Sequence, residues 1–269
     1  MKKSLLLLGA ALTLVSQSPV QAQMGSPSGS AADSALTRIF GTKLNFSATM
    51  ELQILQIVKP GTTNDLASTA KMFFADGNSR TEMDLTKMTG SKMPPHAMDQ
   101  MKAMGMDQMV SITRNDTKNV YMIYPGLQSY AKLTAPDASQ STNDYQIETT
   151  ELGKETLDGH ACVKNKYVVT NTKTTESISM IAWLASDLKN YPIKLEINSA
   201  DSTRGHKMPT VTVMHFVDIN TAKPDASLFE PPVGYHAYLN VQAMMQTEMM
   251  KKMGGGANGT MPGMPPGHP

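Results

Sequence analysis

A period of two runs through the middle of this chain and limits what it can fold into. Phe46, Ala48, Met50, Leu52 and Ile54 alternate with Ser47, Thr49, Glu51 and Gln53. Successive side chains of a strand point to opposite faces, so this stretch predicts a strand with one apolar and one wet face. Ile193, Leu195 and Ile197 alternate with Lys194, Glu196 and Asn198 in the same way. Val211, Val213, Val217 and Ile219 share a face, and Ala161, Val163, Tyr167 and Val169 form another. Shorter runs at Lys71–Phe74, Arg80–Leu85, Asn119–Tyr124, Gln128–Leu133, Gln146–Leu152 and Ser177–Leu184 have strand composition. Between them stand turn signals: Pro60-Gly61, Asp76-Gly77, Pro125-Gly126 and Asp158-Gly159. The two Asp-Gly pairs mark hairpins, because such turns demand the positive φ that Gly tolerates. Many strands at short spacing with few helices predict an α+β, mainly β fold built on an antiparallel barrel or strongly curved sheet.

Two segments break the pattern, and both are rich in methionine. In 98–109, MDQMKAMGMDQM, five of twelve residues are Met. It is entered through Pro94-Pro95, and on a helical wheel Met98, Met101, Met104 and Met109 fall within about 140°. Gly105 weakens that helix. The second is Val241 to Met253, where Val241, Met244, Met245 and Met249 follow i, i+3, i+4, i+8 spacing and Lys251-Lys252 precede three glycines. That is a sound helix ending. The expected elements are a helical insert near 94–109 and a C-terminal helix near 239–253.

The ends of the chain speak to compartment. Lys2-Lys3, an apolar run from Leu5 to Val15, Pro19 and the small-residue pattern Val20-Gln21-Ala22 predict a signal peptide over 1–22, cleaved after Ala22. No cysteine follows the run, so lipid modification there is not expected. Residues 23–35 are Ser/Gly/Ala-rich and 254–269 Gly/Pro/Met-rich, and both are expected to be disordered. The domain is expected over 36–253, in a protein of the periplasm or secreted space without an integral membrane segment after cleavage. Loss of Lys2 and Lys3 leaves 22 basic against 23 acidic residues. A near-neutral chain lacks the basic surface that nucleic acid requires. Cys162 is the single cysteine, so no internal disulfide can form and the core must hold the fold.

The C-terminal half carries a resemblance. Gly153-Lys154-Glu155-Thr156-Leu157-Asp158-Gly159-His160-Ala161-Cys162 leads into a strand. It is followed by Trp183, Asp187, Tyr191-Pro192-Ile193 and Leu228-Phe229-Glu230-Pro231-Pro232-Val233-Gly234-Tyr235. Tyr124-Pro125-Gly126 with Tyr130 fits the middle. This order resembles a bacterial exported family of unknown function that looks related to the outer-membrane lipoprotein carrier and sorting proteins, the LolA-like group. The resemblance implies a curved antiparallel half-open barrel with short helices over its concave, apolar mouth, and a ligand of the acyl-chain class. It transfers no catalytic residue.

Three readings of the methionines compete. Met98, Met101, Met104, Met109, Met244, Met245 and Met249 could form a lid over an apolar groove, since Met is unbranched, polarizable and repacks readily. Met could be the chain's ordinary apolar filler, as Met50, Met72, Met122 and Met180 in strands indicate. Or Met98, Met101, Met104 and Met106 could bind Cu(I), a soft ion that thioethers favour. The expected function is non-catalytic binding or carriage of a hydrophobic ligand (lipid or lipoprotein acyl chains), without a cofactor. The alternative is an exported Cu(I)-binding or copper-buffering protein. No G-x-S-x-G, H-E-x-x-H, C-x-x-C or P-loop occurs. Cys162 is expected to be an inert thiol. His215, among Val211, Val213 and Val217, is expected to be a hydrogen-bonded core residue, with a polar contact at the cavity wall as the minority reading.

Overall fold

The alternation of the first strand is realised. In the computed structural model, which describes residues 45–58, 61–90, 97–134, 145–172, 177–198 and 210–254, β1 (Phe46–Val58) pairs along its length with β2 (Gly61–Ala75). Asp76 and Gly77 both take positive φ, 52° and 81°, and return the chain into β3 (Asn78–Asp84), as a type I′ hairpin requires. β4 (Thr89–Gly90) lies against β2. Helix α1 (Ala97–Met104) precedes β5 (Gln108–Arg114), β6 (Asn119–Tyr124) and β7 (Ser129–Thr134). A second I′ turn at Asp158-Gly159 joins β8 (Tyr145–Leu157) to β9 (His160–Asn171). β10 (Ser177–Ala185), β11 (Tyr191–Asn198), β12 (Thr210–Asn220), β13 (His236–Tyr238) and helix α2 (Val241–Gly254) complete the described chain. The expectations for 1–22, 23–35, Pro60 and 255–269 lie outside the described residues.

All thirteen strands of the described residues belong to one curved sheet that does not close on itself. Its order is β13-β7-β6-β5-β3-β2-β1-β12-β11-β10-β9-β8, with β4 beside β2. Every pairing is antiparallel except β13 on β7. The first and twelfth strands are neighbours at its centre, which welds the two halves of the chain into one unit. The edges are the short β13 and the long β8.

The inner face carries the main core. Phe46, Met50 and Leu52 on β1, Met72 and Phe74 on β2, Met214 and Phe216 on β12 and Leu195 on β11 pack with Met109, Met122, Met180 and Met244. The Phe46 ring stacks near Phe74 at 5.8 Å and meets Tyr191 edge-on at 4.5 Å. Two satellite cores lie on the outer face. Phe229, at the end of the 3-10 turn Ala226–Phe229, covers Val110, Ile112, Tyr121 and Ile123. Cys162, Trp183, Ala185 and Ile193 form the other.

Register corrects two faces read from the sequence. Val211, Val213 and Val217 do share a side, but a register shift beyond Val217 takes Ile219 out of that alternation and against the main core, and the side of β12 that enters that core is Met214 and Phe216. Ile193 does not share the face of Leu195: a bulge sets Lys194 opposite Trp183 and Pro192 opposite Leu184, which turns Ile193 to the outer satellite core. Alternation shows that two faces differ but does not say which is inside when both have apolar cover.

Candidate functional site

The inner face is not uniformly covered. Leu66 on β2 pairs with Ile54 on β1, Ile54 with Thr212 on β12, and Thr212 with Ile197 on β11. Ile197 pairs with Met180 on β10, whose next inner residue, Ile178, pairs with Val169 on β9, and Val169 with Ile147 on β8. Leu66, Ile54, Ile197, Ile178, Val169 and Ile147 therefore lie on one sheet face, that of Leu52, Met214, Leu195 and Met180, as an apolar series interrupted by Thr212 on β12 and stepped by two residues at β10. The four members of that inner level are buried. The row above them is not: Ile147 and Ile178 are 40% and 47% exposed, and the others are half-buried. This is the rim of a trough whose floor is the main core.

The methionines fill the floor. Met50, Met72, Met83, Met109, Met122, Met180, Met214 and Met244 are buried in the main core, and Met88, Met101, Met106 and Met245 pack against it. Of the residues assigned to a lid, Met101, Met244 and Met245 meet this core, and Met244 is fully buried at 0%. Met98 and Met104 are half-buried on α1. Met249 is 47% exposed. Met109 does not belong to a helix: it sits in β5 opposite Met83. The helix ends sooner because Gly105 takes φ 73° and closes a Schellman motif, Gly105 N–H donating to Lys102 O at 2.9 Å and Met106 N–H to Met101 O at 2.8 Å. Of the four sulfurs considered for Cu(I), Met98, Met101 and Met104 lie on α1, Met106 follows it, and Met101 and Met106 face the core.

The two helices are fastened differently. A Cβ on Gly105 would stand 2.7 Å from Gly126 O, so two glycine backbones touch where α1 meets the 3-10 turn Pro125–Leu127. Helix α2 starts on Asn240, whose side chain accepts from Ala243 N–H at 2.7 Å. Its Glu248 faces the sheet and accepts from Tyr238 OH at 2.6 Å, Ser129 Oγ at 3.2 Å and Lys251 Nζ at 2.9 Å. Burial pushes the Glu248 carboxyl up, but the bonds from Lys251, Tyr238 and Ser129 outweigh it and hold its pKa below the ordinary value.

The outer face explains the short motifs. Glu155 on β8 accepts from Trp183 Nε1, and Lys164 and Lys194 stand over the indole ring at 4.5 and 4.6 Å. His160 Nδ1 and Asp187 Oδ2 are 2.7 Å apart, which with burial opposing it leaves the Asp187 carboxyl below its usual range. His215 is half-buried on this outer face rather than in the main core, and its ring nitrogens meet Glu51 at 3.3 Å and Asp158. Cys162 is 2% exposed, its Sγ within 3.4 Å of His160 O, and burial raises its thiol pKa. The Asp158-Gly159 hairpin tip is thus held against β12 by His215, beside a partly open cavity of about 200 Å³ lined by Asp158, His160, Leu188, Ile193 and Phe216. These residues hold the scaffold. The rim residues were not singled out in the sequence, although Ile54, Ile197 and Val169 lay in alternations already visible there.

No helix among the described residues is long and apolar enough to cross a membrane. No curated protein matches the chain. Among solved structures it is similar to the lipoprotein LppX of Mycobacterium tuberculosis (10% identity, 71% of this chain and 93% of that one, TM-score 0.37). It is similar also to LprF of Mycobacterium bovis (10%, 72% and 94%, TM-score 0.33). A third is a DUF1329 family protein of Desulfovibrio piger (12%, 74% and 95%, TM-score 0.28). The fold rests on the strand order and register given above. A family model described as "Domain of unknown function (DUF4412)" matches residues 53–208, more than half of the chain, and the protein belongs to that family.

Proposed function

We propose that this protein is an exported, non-catalytic carrier of a hydrophobic ligand, with acyl chains of a lipid or lipoprotein as the ligand class. The observation that carries the reading is the partly exposed apolar series Leu66, Ile54, Ile197, Ile178, Val169 and Ile147, which continues an apolar floor out to solvent on the main-core side of an open, curved sheet. Full burial of one such side chain is worth about 1.5–3 kcal/mol, so Ile147 and Ile178 leave roughly 1 kcal/mol each for a ligand and the four less exposed side chains about half that. Together they supply on the order of 4 kcal/mol before ordering costs, which corresponds to a Kd near millimolar. Tighter binding needs the ligand to enter the floor and displace side chains. A floor of methionine suits that, because thioether chains change rotamer and refill a gap with little strain.

The test is a fluorescence titration with 1-N-phenylnaphthylamine, displaced by palmitic acid, on the wild type and on an Ile147→Ser/Ile178→Ser double variant. Both positions are already well exposed, so the fold is expected to survive. The expected result is saturable binding by the wild type and a loss of about fivefold or more in the variant. Binding that is absent, or equal in both proteins, contradicts the reading.

A further inference from the structure

Inside the apolar floor, next to the rim, stands a hydroxyl with no partner. Ser68 on β2 is 6% exposed, and its Oγ has no hydrogen-bond partner. Register fixes where it points. Ser68 is opposite Leu52 of β1, a main-core residue, and lies between Leu66 and Ala70 along its own strand. The hydroxyl therefore faces the trough one step below the rim residues Leu66 and Ile54. Such a group normally finds a protein or water partner, and leaving it without one costs free energy that an alanine would not. Nothing in strand pairing or packing demands a serine here, since Ala48, Ala70, Ala131 and Ala182 serve on the same face. Tyr191 OH is the second unpartnered buried hydroxyl, but its ring sits against Phe46 at the far end of β1, away from the rim. Ser68 is the one a ligand entering over the rim reaches first.

We infer that Ser68 is a specificity residue of the trough: its hydroxyl donates to the ester or carboxyl oxygen of an acyl lipid whose chain lies on the methionine floor. The inference rests on the carrier reading and narrows it, from any oily molecule to an acyl derivative with an oxygen acceptor at the head of its chain. Plain hydrocarbon would satisfy the floor but leave the hydroxyl unpaired, which is how a buried polar group rejects a ligand lacking its complement.

Displacement of 1-N-phenylnaphthylamine from the full chain tests it, with methyl palmitate, palmitic acid and hexadecane as competitors, on the wild type, Ser68→Ala and Ser68→Thr. The wild type is expected to favour methyl palmitate or palmitic acid over hexadecane. Ser68→Ala is expected to weaken the preferred competitor about three- to tenfold and leave hexadecane unchanged. Ser68→Thr, which keeps a hydroxyl, is expected to restore the preference. The preferred competitor tells an ester from a free carboxyl group. Loss of affinity for all three competitors alike, or for none, overturns the assignment of Ser68 while leaving the carrier reading in place. If none of the three displaces the probe from the wild type, the carrier reading fails and takes this inference with it. Ser68→Ala removes a buried unpaired group, so a urea midpoint equal to or above that of the wild type is expected, and a folded protein is available for the comparison.

Discussion

Glu248 is the polar pin of the C-terminal helix, and its setting gives a signed pH dependence. Its folded pKa lies below the ordinary 4.5, so the stability it contributes is present above that value and is lost as the pH falls through the folded pKa. The protection factors of α2 amides are therefore expected to fall selectively in acid, relative to those of β1 and β12, and Glu248→Gln is expected to flatten that dependence. An α2 whose relative protection does not change with pH in the wild type contradicts the pin. Gly126 tests the other helix. Any Cβ there would collide with the backbone of Gly105, which has no flexible side chain to swing aside. Gly126→Ala is expected to destabilise by about 1–3 kcal/mol, read from a urea melt. Cys162, deep in an outer satellite core with its thiol pKa raised by burial, is expected to react with Ellman's reagent only after denaturation.

The elements differ in how plainly the sequence announced them. β1 and the two Asp-Gly hairpins were legible because their signals are local: alternation needs only one strand, and a I′ turn only two residues with positive φ. The C-terminal helix was legible for the same reason, its apolar spacing and its ending being local. Asn240 completes it, and Asn240→Ala is expected to cost about 1 kcal/mol and lower the helical signal of α2 in circular dichroism. Met109 was misplaced on a helix because an even scatter of methionine satisfies a wheel as readily as a strand. The deciding fact was the Gly105 contact with Gly126, twenty-one residues on. Ile193 was put on the wrong face because a bulge is set by the partner strand, which alternation in one strand cannot register. The rim was missed as a site for a related reason: Ile54, Ile178 and Ile147 look like core residues until the sheet's order shows that nothing described covers them.

At the scale of the molecule, the central pairing of β1 with β12 sets the architecture. Partners more than 150 residues apart carry no joint signal in a single sequence, so strand spacing predicted only a barrel or strongly curved sheet, and its unclosed form came from resemblance. What the whole sheet makes is a trough with a methionine floor, an aliphatic rim and two short helices packed at one end. The clamp of Glu155 on Trp183 and of His160 on Asp187 belongs to the far wing, where it holds the β8–β9 hairpin against the outer face. The proposed carriage requires that interior to accept an exchangeable oily ligand. Native mass spectrometry of the protein released gently from the cell envelope tests this directly. The predicted result is a population heavier than the bare chain by the mass of an acyl lipid, stripped by detergent and restored by adding that lipid back. A single species at the mass of the chain alone, unchanged after incubation with envelope lipid extract, contradicts it.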